Sequence, residues 1–264
     1  VYYVLFSLLL VAVAVLGCLL VSETKQRNAR RTRLAGTAAI PRLIRKAQTL
    51  DDLLKMTPEQ LKDVDIAEMN LLCAIGLPGS ENLDVDRCLA KLDDYAARVR
   101  FETQRHAYRV TDPRYADHYK HSLAWFKAEM LAQTLQEDCG VVYNMERVRE
   151  ISFTNSKDQF VHGMIDDKNG GTCVSMPVIY IAVGRRLGYP LKLVPAKAHL
   201  FARWEDVHDR FNVDVSTDTG IGSHTDEEYM TWPMQITETE MKAGSYLKSM
   251  LAADEIACFL AARG

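Results

Sequence analysis

The feature that most constrains the fold is a change of character at Asn169-Gly170-Gly171-Thr172-Cys173. From there Val174 to Leu187 is apolar except for Ser175, Arg185 and Arg186, and the run closes on Gly188-Tyr189-Pro190. A helix without a polar face has to be covered all round. Gly188 stands where a C-cap glycine is expected, and Pro190 where a helix cannot continue. Cys173 is therefore expected in the first turn of a buried helix, Val174 to Leu187. Three short strand-like runs follow: Leu191 to Pro195, His199 to Trp204 and Arg210 to Val215. One buried helix followed by a small antiparallel sheet is an α+β arrangement.

Upstream the period is helical, from about Thr37 to Phe160. Val85, Leu89, Leu92, Ala96 and Val99 fall on one face of a long helix. A second helix is expected to carry Leu123, Phe126, Met130, Leu131 and Leu135 inward and to stop near Gly140. Shorter helices fit Thr57-Pro58-Glu59-Gln60, a cap with proline at the first helical position, and Asp65 to Ile75. His118 and His121 lack a carboxylate or cysteine at ligand spacing, so they read as a solvated helix face and no metal is implied.

Ahead of the folded part, Val1 to Val21 read VYYVLFSLLLVAVAVLGCLLV, with Ser7 the only clearly polar side chain. At about 1.5 Å per residue the run spans roughly 30 Å, the thickness of a bilayer's hydrocarbon core. The reading is an uncleaved, single-pass membrane anchor. A cleaved or lipidated signal competes with it: Ala12-Val13-Ala14 mimics a cleavage site and Val15-Leu16-Gly17-Cys18 resembles a lipoprotein box, but Leu19-Leu20-Val21 continue the run. Lys25, Arg27, Arg30, Arg31 and Arg33 follow against the single acid Glu23. The positive-inside rule places that flank, and with it the folded part, in the cytoplasm. A formal net charge of −3, no basic stripe interleaved with aromatics and no glycine-rich phosphate loop argue against a nucleic-acid partner. The six cysteines, Cys18, Cys73, Cys88, Cys139, Cys173 and Cys258, form no CxxC and no disulfide framework. Five read as small buried thiols.

Cys173 stands apart. A thiol attacks as the thiolate, and a helix N-terminus favours that charge. Gly170 and Gly171 are expected to leave room there for a substrate acyl group. If Glu205-Asp206-Val207-His208 is the hairpin loop, Trp204 pairs with Asp209 and His199 faces Asp214. Directly opposed residues share a face of the sheet, with Cβ atoms about 5 Å apart. The carboxylate would then hold the imidazole Nδ1–H and aim the other nitrogen at the thiol. A catalytic triad of Cys173, His199 and Asp214 follows, with no cofactor. A Cys/His metal site has only those three candidate ligands.

The run GTCVSMPVIYIAVGRRLGYPLKLVPAKAHLFARW, followed by RFNVDVS, resembles the transglutaminase-like superfamily, which has a papain-type thiol fold. Its members show a cysteine opening a helix, an arginine-rich RxLGxP, a histidine strand and an aspartate strand. The upstream helices, Asp65 to Leu72 and Leu83 to Arg100, look like the helical N-terminal region of the SirB-type branch. That branch carries proline at the cysteine position and lacks the triad, whereas this chain keeps all three residues. The resemblance implies Cys173 as nucleophile, His199 as base and Asp214 as orienting acid; the oxyanion donors stay open, the Cys173 backbone N–H with either Asn169 or a residue of the helical region. The domain organisation read from the chain is an anchor over 1–22 and a basic linker over 23–36. A helical subdomain over 37–165, a transglutaminase-like core over 166–232 and a C-terminal helical segment over 233–264 follow.

The leading reading is a membrane-anchored thiol hydrolase or acyltransferase acting on a protein or peptide substrate. The alternative is a catalytically silent interaction module. The anchor has its own test: fractionation should leave the intact chain in membranes, resistant to carbonate extraction. A soluble product beginning after Ala14 or at Cys18 would refute it.

Overall fold

The computed structural model describes residues 42–147, 152–166, 169–215, 221–222 and 224–264. Two short helices come first, α1 (Leu50–Leu54) behind Thr49 and α2 (Pro58–Leu61) behind Thr57. In each, the threonine hydroxyl and the third helical side chain accept reciprocally from backbone amides, satisfying donors that a helix start leaves orphaned. Helix α3 (Ile66–Ala74), capped by Asp65, is buried along its whole length. Helix α4 (Val85–His106) buries Val85, Leu89, Leu92, Ala96 and Val99, the face that the periodicity predicts. Helix α5 (Leu123–Gln133) runs on into a π-type turn over Thr134–Asp138, and Gly140 then takes a left-handed φ of 74°. Leu123 departs from the predicted inner face. As the first residue after the Ser122 cap it sits exposed at the helix tip, while Ala124, Trp125 and Phe126 are buried. The short helices α6 (Ser156–Gln159) and α7 (His162–Asp166) lead towards the cysteine.

The apolar run forms α8 (Met176–Arg186), in which every residue from Met176 to Gly184 is buried. Its neighbours are α3, α4 and α5 on one side and the sheet on the other. The helix begins two residues later than predicted, and Pro177 is the reason. Started at Val174, the helix would put Pro177 fourth, where the backbone N–H must donate to the carbonyl four residues back. Proline has none and is tolerated only in the first turn. The Thr172 carbonyl instead accepts from the Ser175 and Met176 amides. Cys173 thus lies on a tight turn just ahead of α8, not in its first turn. At the other end Leu187 caps the helix and Gly188 is left-handed, φ 75°, as expected.

Strands β1 (Leu191–Ala196), β2 (His199–Glu205) and β3 (Arg210–Val213) make an antiparallel sheet in that order. Between β2 and β3, Trp204 faces Phe211 and Ala202 faces Val213. The hairpin loop is Asp206-Val207-His208-Asp209, closed by the Asp206 amide donating to the Asp209 carbonyl. Asp206 carboxylate oxygens also accept from the His208 and Asp209 amides and from the Trp204 indole. That set of bonds places the turn one residue later than predicted and slides the register by two.

Both faces of the sheet are covered. Leu191, Leu193, Leu200, Ala202, Trp204 and Val213 join the main core with α8. Val194, Ala196 and Phe201 pack on the other face against Tyr229, Ile236 and Leu247. The second cover comes from the chain after the sheet, which includes α9 (Asp226–Tyr229) and α10 (Glu238–Ala243). The chain ends in α11 (Ala252–Arg263), packed on α3. Arg263 there donates to the Cys73 and Ile75 carbonyls at the end of α3. Ile40–Gly264 form one compact unit. Among the described residues no helix is long and apolar enough to cross a membrane. The anchor predicted over Val1–Val21 and the linker over 23–36 lie outside the described residues.

The two arginines at the end of α8 tie these parts together. Arg185 makes a two-point pair with Glu255 of α11 and also donates to the Leu191 carbonyl. Arg186, its side chain almost wholly buried, bridges Asp65, Asp93 of α4 and the Ala182 carbonyl at 2.8 Å each. Removing one partner of a buried ion pair strands the other charge at a cost of roughly 3–5 kcal/mol. Arg186→Ala should lower unfolding free energy by about that amount in chemical denaturation. A loss below ~1 kcal/mol would show that the two carboxylates find other partners.

Candidate active site

The turn bearing Cys173 is built from below by Asp158. The Asp158 carbonyl accepts from the Thr172 hydroxyl at 2.7 Å and from the Ser175 hydroxyl. Its buried carboxylate accepts from Asn169 Nδ2, from the Ser152 amide and from Arg147. Ser175 Oγ in turn accepts from the Thr172 amide. The loop is also stitched to the strand-like segment before it: the Gly171 amide donates to the Val142 carbonyl and the Asn144 amide to the Gly171 carbonyl. Gly170 has φ 75°, and a Cβ there would lie about 3.0 Å from Asn144. At Gly171 a Cβ would meet the Met164 sulfur at 2.4 Å. The two glycines therefore serve close packing of the protein against itself, not the acyl space that the sequence suggests. The Asn169 side chain likewise donates to Asp158.

The imidazole of His199, at the start of β2, is buried. Its Nε2 donates to Asp214 Oδ2 at 3.1 Å, and Cys173 lies close enough to the ring to raise its proton affinity. The structure thus brings the three residues together, but by a different route from the one predicted. Asp214 lies one residue beyond β3, held by a two-bond bridge to Gly222, and meets His199 diagonally. A register shift of two leaves every side chain on its original face, which is why the pair survives the shift. The ring is also reversed from the expectation: Asp214 takes Nε2–H, so Nδ1 is left for the thiol. Asn212 and Glu205 are occupied elsewhere, Asn212 with Arg203, Asp226 and the His224 carbonyl, Glu205 with Arg210.

Three aromatic residues complete the surroundings, and no periodicity or spacing in the sequence marked them. Tyr143 lies beside Cys173, and burial together with that neighbour pushes the phenol up to about 12. Tyr229 donates to Asp214 Oδ2 at 2.6 Å. Trp232 packs edge-on against His199 with ring centres 5.0 Å apart. The other described cysteines lie in different settings. Burial pushes the thiols of Cys73 and Cys139 up to about 12 and that of Cys258 to about 11. No group of three or more metal-ligating side chains occurs among the described residues. His118 and His121 pair with Glu129 and Asp117.

A model of the transglutaminase-like superfamily matches residues 86–251, well over half of the chain and including Cys173, His199 and Asp214. No curated protein and no solved structure matches the chain significantly.

For His199, burial alone would lower the imidazolium's proton affinity. Donation to Asp214 and contact with Cys173 outweigh it and carry the ring to about 9. The ordinary value is about 6.5. The folded state therefore favours the protonated ring, so this contribution to stability is complete below about pH 6.5 and fades as pH rises through about 9. An NMR titration of the ¹⁵N-labelled ring should show a midpoint near 9, falling towards or below the ordinary value in Asp214→Ala. A wild-type midpoint at or below the ordinary value would contradict the ion-pair geometry.

Proposed function

Because the chain belongs to the transglutaminase-like superfamily, we propose that it is a thiol hydrolase or acyltransferase acting on peptide or amide bonds through Cys173, His199 and Asp214. The observation that carries this reading is the His199 ring, buried at a strand end, hydrogen-bonded to Asp214 and with Cys173 close enough to raise its proton affinity. A histidine held between a carboxylate and a thiol can keep the thiol ionised, accept its proton and return it to a leaving group.

In the proposed cycle the resting pair is thiolate and imidazolium. The thiolate attacks a carboxamide carbon, forming the carbon–sulfur bond and a tetrahedral oxyanion. The Cys173 backbone N–H is one donor to that oxygen. The Tyr143 hydroxyl, from the helical region and beside Cys173, is the second. The imidazolium gives its proton to the departing amine, leaving a thioester and a neutral ring. Water or a second amine, deprotonated by that ring, then releases the acyl group and restores the thiolate. Asp214 stays ionised and fixes the ring's orientation. Hydrolysis, deamidation and cross-linking share the thioester and differ in what resolves it.

Membrane attachment through Val1–Val21, with the folded part on the cytoplasmic side, is part of the same proposal and rests on the length of the apolar run and its basic flank. The substrate would then be a protein or peptide reached from the membrane surface.

The test of the chemistry is alkylation. At pH 6 an ordinary thiol near 8.5 is only about 0.3 % thiolate. Cys173 should react with iodoacetamide at that pH at least tenfold faster than Cys88 or Cys139. His199→Ala should remove most of that advantage and Asp214→Ala part of it. Equal rates for the three cysteines, unchanged by His199→Ala, would leave a silent interaction module as the reading.

A further inference from the structure

Asp214 carries a second hydrogen bond that the triad does not need in order to be recognised. The same oxygen that accepts from His199, Oδ2, also accepts from the Tyr229 hydroxyl at 2.6 Å, and both partners are buried. We propose that Tyr229 is a positioning residue, whose hydroxyl fixes the Asp214 carboxylate in the orientation and charge state that hold His199. The proposal rests on the triad reading above.

The hydroxyl is itself rigidly placed. The Tyr229 ring stacks on Phe201 with centres 4.1 Å apart and planes 6° from parallel, and lies beside the His199 ring at 5.8 Å. Burial, followed by the neighbouring Asp214, pushes the phenol far above its ordinary range, so it stays a donor at every pH of interest. The short helix that ends in Tyr229 begins at Asp226, and Asp226 is gripped by the sheet itself. The buried guanidinium of Arg203 on β2 donates to Asp226, to Asn212 on β3 and to the Leu247 carbonyl. Asn212 Nδ2 donates to Asp226 as well. The strand residues next to the candidate site on this face thus anchor the residue that reaches back to Asp214. An arginine, an asparagine and a short helix, otherwise unexplained, acquire a common purpose.

The physical consequence is a pH dependence. A buried carboxylate is kept ionised by its donors. Without the Tyr229 hydroxyl the anion retains fewer, a proton competes for it at higher pH, and a protonated Asp214 no longer supports the imidazolium. Among the described residues, the charged or titratable groups around Asp214 include His199 from β2, Tyr229 from α9, Cys173 from the turn before α8 and Tyr143 from the segment bridged to Gly171. Arg203 and Asp226 lie behind Tyr229. The His224 ring stands edge-on to Tyr229 at 5.5 Å. The comparison is therefore made in a His224→Gln background as well.

The experiment is the rate of Cys173 alkylation by iodoacetamide from pH 4 to 9, read by mass spectrometry, in the full chain and in Tyr229→Phe. The acid limb is expected to move up by about one pH unit in the variant. The rate at pH 5 should then fall about tenfold while rates above pH 8 stay within twofold. A limb that superimposes on wild type, or a rate lowered equally at all pH, overturns the positioning role while leaving the triad intact. If wild-type Cys173 shows no enhanced reactivity at acid pH, it is the triad reading that fails. Should Tyr229→Phe not fold, 3-fluorotyrosine at position 229 keeps the shape and strengthens the donor. It should move the limb down, and an unmoved limb overturns the proposal.

Discussion

Everything in this structure is arranged around the burial of α8. A helix with nothing but apolar side chains from Met176 to Gly184 has no face to give to water. Each fully buried valine, isoleucine or methionine is favoured by about 1.5–3 kcal/mol over exposure. One sheet could cover only one side of it. The helices α3, α4 and α5 supply the remaining cover, so the helical half and the sheet half share a single core. Charge is admitted only at the helix end, where Arg185 and Arg186 each find carboxylates on other elements. These pairs set the orientation of the helix as well as its depth, because two planar guanidinium groups accept only a narrow range of partner positions.

The position of the helix decides the chemistry at its start. Proline in the first turn and the Thr172 carbonyl force a tight turn, and Cys173 rides on it. Asp158 secures that turn from one side and the Tyr143–Gly171 bridge from the other. The sheet contributes His199 at a strand end, and the second sheet cover contributes Tyr229 and Trp232. The candidate site is thus a meeting of three separately anchored pieces. Each is held by buried polar bonds rather than by the residues that would do chemistry, so the reactive groups are placed without having to supply the placing energy themselves.

Much of the fold was legible because it depends on period and punctuation. The inner face of α4 follows from helical spacing, and the start of α2 from Thr57-Pro58-Glu59-Gln60. The end of α8 follows from Gly188 and Pro190. The pairing of His199 with Asp214 was legible for a subtler reason. The hairpin was placed one residue too early, yet sheet side chains alternate with a period of two, and the resulting shift of two conserved the face. What misled was local hydrogen bonding that no periodicity reports. Asp206 drew the turn towards itself with three bonds, and Pro177 delayed the helix although its meaning was open to reading.

By itself the sequence determined the order of elements, the buried helix after the cysteine, the face shared by His199 and Asp214, and the superfamily. These follow from residue type and spacing along the chain, which act within a few residues of one another. Only the tertiary structure decided which imidazole nitrogen meets the carboxylate, that the two glycines serve packing, and that Asn169 is bound to Asp158. It alone brought Tyr143 to the thiol and Tyr229 to Asp214. Those outcomes depend on contacts between separate segments, whose partners are chosen by the shape of the whole core and leave no pattern in the chain.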